Sequence, residues 1–225
     1  MKVLVILNVF WICIVPSMAI DVGKLVFKDE FDRNESQEIT EEIGRDWSTS
    51  SESRAGGHKQ EDLNEFSLHI TKHVGTNHPV SLRNALKIAN GEVRSRFKLP
   101  TANDQLGVDF ADTKDRRLLG GHTFKVSFRT GEVVMQDMNR AKKNRALQER
   151  KKTGTLSEAD RKSINASVVM IPIELAIYTW HNARVRFLGD QICVHINKKR
   201  PENDDPVESN IPPKSTYDWP SLVPP

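Results

Sequence analysis

Trp180 to Lys199 reads WHNARVRFLGDQICVHINKK. Ala183, Val185 and Phe187 alternate with Asn182, Arg184 and Arg186, and beyond the LGDQ segment Ile192, Val194 and Ile196 alternate with Cys193, His195 and Asn197. A period of two is what a strand with one buried face writes into sequence. Gly189-Asp190 between the runs reads as a hairpin turn, because Gly accepts positive φ and Asp favours turns. The expected class is therefore all-β and antiparallel, with Ala183, Val185 and Phe187 of one strand and Ile192, Val194 and Ile196 of the other inside. A Trp180-His181 pair stands at its entrance.

Further strands are read outward from this hairpin. Val93, Phe97 and Leu99 alternate with Arg94, Arg96 and Lys98. Leu106, Val108 and Phe110 form the next run, with Asp109 pointing the other way, and Phe124, Val126 and Phe128 form another. Gly131 turns the chain into VVMQDM, and Val168 to Ile171 leads back to the hairpin. Upstream, Phe66, Leu68 and Ile70 alternate, Val80–Leu82 and Ala85–Ile88 do so weakly, and Leu25 and Phe27 between Lys24 and Lys28 read as a short strand. Asn34 to Glu42 reads as a loop, and the STSSESRAGGHKQEDL run after Trp47 as a long surface connection or a loop laid across a face. The period of two fails at Asn139. Arg140 to Lys162 is rich in helix formers, Ser157 to Asp160 resembles a capping box, and Gly154 separates two helices. Roughly nine short strands with turn signals between them argue for a two-sheet sandwich. A single helical stretch excludes parallel α/β, and no Gly-rich phosphate loop follows a strand.

The 225 residues divide by composition. MKVLVILNVFWICIVPSMA has Lys2, an apolar run, and Ser17 and Ala19 at cleavage-site positions, which is the pattern of a secretory signal peptide over 1–19. Its apolar run is shorter than the roughly 20 residues that a membrane span needs. Export to the periplasm or the medium is therefore expected, with no membrane span after cleavage. Cleavage leaves Cys193 alone, so the domain over 20–200 has to be held by its apolar core. Cys193 reads as a packed strand residue with His195 on the same face. Seven of the eleven prolines fall in the C-terminal stretch 201–225, which rules out much central strand there. The helical insertion, about 139–163, carries nine basic residues against three acidic ones and leaves the rest of the chain acidic.

Five segments, in order, resemble a known group. They are Phe27-Lys-Asp-Glu-Phe31-Asp-Arg33, the run from Trp47 through Arg54, His58, Gln60 and Asp62 to Leu63, Gly121-His122-Thr-Phe124, Gln136-Asp137, and Trp180-His181. Together they resemble small secreted bacterial proteins, abundant in planctomycetes, of the concanavalin A-like jelly-roll class related to the 3-keto-disaccharide hydrolase domain family. The basic helical insertion after Gln136-Asp137 is also typical of that group. The resemblance covers about Leu25 to Lys199 and implies a jelly roll with a concave face. It also implies hydrolysis, or elimination and hydration, at a 3-keto-glycoside.

Several side chains are candidates for that chemistry. Asp109, Asp112 and Asp137 fall in or after adjacent strands, where a pair of carboxylates serves glycoside hydrolysis. His122 and His181 stand at strand entrances, and His suits proton abstraction beside a ketone. Asp137, His122 and Asp109 are taken as the catalytic candidates, and Arg54, Trp180 and His181 as substrate-binding ones. Trp47, Trp180 and Trp219 offer rings for sugar stacking or for core packing. His69 and His73 would sit about 13 Å apart on a strand and cannot share an ion there. No cofactor is implied, and a divalent metal stays open. The basic insertion suits an acidic or sulfated polysaccharide, while nucleic acid is disfavoured because no aromatic residues interleave with the cations. The rival reading is a non-catalytic structural or interaction domain of the cell envelope.

Overall fold

The computed structural model describes residues 24–44, 46–189 and 191–198. The expected signal peptide over 1–19, the Pro-rich stretch 201–225, Trp219 and Asp190 lie outside the described residues. The chain is mostly β, 38% strand and 14% helix, in several antiparallel sheets of which none is closed. It divides into two compact units, one up to Ile88 and one from Ala89. No helix among the described residues is long and apolar enough to cross a membrane.

In the first unit, β1 (Trp47–Thr49) pairs with β4 (Leu82–Asn84), and β2 (Glu61–Asn64) pairs with β3 (Ser67–Ile70). Glu65 and Phe66 join β2 to β3 with φ of 51° and 55°, the conformation of a two-residue hairpin turn. The strand expected at Leu25 and Phe27 does not form. Asp29 instead folds the segment on itself, accepting the Phe31 N–H at 2.9 Å and gripping Arg33 with both oxygens at 2.6 and 2.9 Å. Its second oxygen also takes the Trp47 indole N–H at 2.8 Å, so Phe27 and Phe31 gather on the Trp47 ring. Burial alone would raise the Asp29 carboxyl, but bonds from Arg33, Phe31 and Trp47 hold it down at about 2.

The polar run after Trp47 is likewise not a surface connection. It forms the one-turn helix α1 (Ser51–Ala55) and then β2, and it buries Ser50, Ser51, Gln60 and Glu61. Buried polar groups need partners: Gln60 donates to Ser51 Oγ at 3.0 Å, Ser51 donates to Glu61 at 3.0 Å, and Ser50 Oγ accepts the Ser81 N–H at 3.0 Å.

In the second unit, β5 (Gly91–Lys98), β10 (Trp180–Leu188) and β11 (Gln191–Lys198) make a three-stranded sheet in the order β11-β10-β5. The strands β6 (Gln105–Ala111), β7 (His122–Arg129), β8 (Glu132–Asp137) and β9 (Val168–Pro172) make a four-stranded meander. The hairpin read from the sequence is present: Ala183, Val185, Phe187, Ile192 and Val194 are buried, and Gly189 turns the chain at φ 59°. The inner faces of the two sheets meet in sandwich fashion, with Phe97 5.2 Å from Phe128 and Phe187 4.8 Å from Phe110 between ring centroids. Val126 and Phe128 have no exposure at the centre. Between β8 and β9 stand α2 (Arg145–Lys152) and α3 (Glu158–Asn165). The expected capping box is formed, with Ser157 Oγ accepting from the Asp160 N–H and Asp160 accepting from the Ser157 N–H.

Candidate functional site

Alternation along β6 turns Leu106, Val108 and Phe110 inward and Asp109 outward. On β7, regular alternation would put His122 on the same inner side as Phe124. Pairing shifts between Phe110 and Ala111, however, so that Phe110 faces Phe124 while Ala111 faces His122. The extra residue reverses the parity, which is how a bulge re-aims a side chain. His122 Nδ1 therefore lies 2.8 Å from Asp109 Oδ1. A carboxylate can only accept, so in the neutral imidazole Nδ1 carries the proton and Nε2 keeps its lone pair. Both side chains are about a third exposed, 33% and 31%.

The turn before His122 is fixed by its backbone. Gly121 sits at φ +70°, and a Cβ there would come 2.1 Å from the Asp112 carbonyl oxygen. The Gly121 carbonyl accepts the Asp112 N–H at 2.9 Å. That close approach sets the entry of β7 against the end of β6. Lys125, directly across from Asp109, stretches over Gly107, where a Cβ would meet its Cε at 2.6 Å. Gln136 is the next residue in that row.

The remaining expected site residues do not join this pair. Asp137 stands in the row of Phe110 and Phe124, so it projects from the opposite face of the sheet to Asp109. It is 2% exposed, accepts the Asn139 and Arg140 N–H groups at 2.9 and 3.1 Å, and meets Arg140 Nε at 3.1 Å. Its work is to turn the chain out of β8. Burial pushes its carboxyl up against the pull of Arg140. Asp112 accepts the Lys114 N–H at 2.9 Å in the loop after β6. His181 is fully buried, its Nε2 2.9 Å from the Ala176 carbonyl and its ring 5.6 Å from Phe97, so it cannot touch substrate. The parity that buries Ala183 buries His181 too. Trp180 takes the outer face, under Arg96 at 4.5 Å and Lys98 at 5.1 Å. Arg54 belongs to the first unit, exposed on α1.

Two other clusters escaped sequence reading. Glu35, Glu38 and Asp62 converge as metal ligands would, but the Lys59 ammonium stands among them at 2.5, 3.2 and 2.7 Å and supplies the positive charge itself. Burial first, then the neighbouring Glu41, raises the Glu61 carboxyl to about 8. Glu41 is driven the other way: burial would raise it, but bonds from Glu61, Ser51, Thr49 and the Gln60 N–H hold it at about 2. One proton is thus held between two carboxyl groups. The signal available in sequence was only an acidic residue within a Ser- and Gly-rich run.

The basic insertion is partly self-neutralised. Arg150 grips Asp160 at 2.9 and 2.8 Å, and Lys152 meets Glu149 at 3.5 Å. Lys142, Arg145, Lys151, Arg161 and Lys162 stay exposed. Comparison with known proteins adds no relative: no protein-family model, no curated protein and no solved structure matches this chain.

Proposed function

We propose that the chain is an exported, jelly-roll type carbohydrate-handling domain that cleaves 3-keto-glycosides through the Asp109–His122 pair. The observation that carries this reading is the 2.8 Å bond from His122 Nδ1 to Asp109, which leaves Nε2 as a base on an accessible face. Two-carboxylate hydrolysis is disfavoured there. The other carboxylate on that face of β8, Glu132, lies four residues along from Gln136, about 13 Å, and it is paired with Arg129 at 2.6 Å.

In a 3-keto-glycoside the proton on C2 is acidified by the ketone at C3. His122 Nε2 takes that proton, and the electron pair forms an enolate onto the ketone oxygen. The enolate collapses, the C1–O bond breaks, and the leaving alkoxide recovers the proton from the imidazolium. Water added across the resulting C1=C2 bond completes hydrolysis. Asp109 holds the tautomer and stabilises the imidazolium. Lys125, in the row of Asp109, is a cation suited to the enolate.

The test is release of the leaving sugar from a 3-keto-disaccharide. His122→Gln is expected to lower the rate by about 10²–10⁴-fold, and Asp109→Asn to lower it as well. A His122→Gln protein with the parental rate rejects the reading. One observation favours a non-catalytic envelope domain instead. Hollows of about 380 and 350 Å³ are lined by residues around Lys59 and around Arg140, and neither includes His122 or Asp109. Absence of turnover in the parent supports that alternative.

A further inference from the structure

The outer face of the three-stranded sheet gathers charge that the sequence spreads over a hundred residues. Strand β5 sends Glu92, Arg94, Arg96 and Lys98 to it, and β10 sends Trp180, Asn182, Arg184 and Arg186. Pairing lines them up. Arg94 stands directly across from Arg184, which stands across from His195; Arg96 faces Asn182, Lys98 faces Trp180, and Glu92 faces Arg186. Five cations therefore share the face with one carboxylate, and Glu92 is bonded to Arg94 at 2.5 Å. We propose that this face is a docking surface for an extended anionic polysaccharide carrying sulfate or carboxylate groups.

Three features support it. Like charges directly opposite each other across a strand pair destabilise a sheet; Glu92 answers Arg94, and the Arg184 charge opposite it is left for an external counter-charge. The Arg184 Nε is buried without a hydrogen-bond partner among the described residues, although a guanidinium N–H ordinarily finds one. The positive field is also felt by His195: burial, then Arg184 and Arg186, lower its imidazole against the opposing pull of Glu92.

The composition of the face selects the class of polymer. Single-stranded nucleic acid binds on a series of aromatic platforms. Trp180 is the one indole, phenol or phenyl ring on this face among the described residues, and Arg96 and Lys98 already lie over it. Duplexes are read by a helix or a projecting two-stranded ribbon entering a groove, whereas these cations lie across two strands of a three-stranded sheet. Guanidinium groups, which pair two N–H donors with two oxygens of one anion, fit an acidic glycan, with the Asn182 amide among them for hydroxyls. This inference is independent of the Asp109–His122 chemistry.

The test uses the full chain with heparin as the probe, in titrations at two salt concentrations. The triple variant Arg94→Gln, Arg184→Gln, Arg186→Gln is expected to bind at least about tenfold more weakly, with a thermal midpoint equal to or above the parental one. Neutralising Lys142, Arg145, Lys151, Arg161 and Lys162 in the insertion is expected to change affinity by no more than about twofold. Four outcomes overturn the proposal. The first is parental affinity in the sheet variant, or the loss falling on the insertion variant. The second is a sheet variant that fails to fold, which makes the arginines structural. The third is single-stranded DNA displacing heparin at lower concentration. The fourth is binding that emerges only after Glu202, Asp204, Asp205 and Glu208 are neutralised, which assigns the face to the chain's own acidic segment.

Discussion

Glu61 has no exposure to water, and besides the Ser51 hydroxyl it is bonded to another carboxyl group, Glu41. Their opposed shifts make stability depend on pH in a defined way. Glu61 is raised to about 8 in the folded protein by burial and by Glu41, so the fold favours its protonated form. That contribution is complete below the ordinary carboxyl range and is lost as pH rises through about 8. Glu41, held at about 2, works the other way and loses its contribution only in strong acid. The thermal midpoint should therefore fall between pH 5 and pH 8. In Glu61→Gln, which keeps a neutral donor, that slope should flatten. A scan of midpoint against pH checks both, and an unchanged slope in Glu61→Gln refutes the shared proton. Sequence could not reveal this pair. Periodicity reports apolar burial, whereas Ser51, Gln60 and Glu61 are buried by bonding one another, and Ser50 by accepting the Ser81 N–H.

At the level of elements, the strands with one apolar face were legible and the rest was not. Each run from Val93 to Phe128, and the hairpin around Gly189, appears where its alternation put it. So does the capping box at Ser157, because a cap is a local event. The segment around Leu25 and Phe27 alternates but has no strand partner among the described residues, and the bonds of Asp29 to Arg33 and Trp47 decide its course. Asp137 and His181 are site candidates by residue type and strand position, yet strict parity puts both inside. His122 reached the outer face only because a bulge broke that parity. The row of arginines was visible one strand at a time, while its meaning needed the register between β5 and β10.

The same scale carries a prediction at the turn before β7. Gly121→Ala places a Cβ against the Asp112 carbonyl at a positive φ. It should destabilise the protein by at least about 1–3 kcal/mol in denaturant titration and lower any activity that needs His122 beside Asp109. Gly131, in open space and at an ordinary φ, is the control. Gly131→Ala should stay within about 1 kcal/mol of the parent. Equal losses at the two positions would show that the close approach at Gly121 does not matter.

For the whole molecule, two units each solve the burial problem differently. The unit up to Ile88 buries a mutually bonded polar cluster beside a few apolar side chains, and the unit from Ala89 buries aromatic rings between two sheets. Net charge gives little guide to this arrangement. The formal +3 of the chain hides a basic helical insertion, a cationic sheet face and an acidic remainder. What the molecule presents to a ligand is set by which side chains face outward from each sheet, with Asp109 and His122 on one and the arginines on the other. A single spectrum tests that assignment most directly. It is a long-range nitrogen–proton correlation of the histidine side chains of the full chain, recorded at alkaline pH, where an ordinary imidazole is neutral. His122 should carry its proton on Nδ1, toward Asp109, and His181 should carry its proton on Nε2, toward the Ala176 carbonyl. The same tautomer at both positions, or a His122 averaging between the two, would contradict the placement on which the proposed chemistry depends.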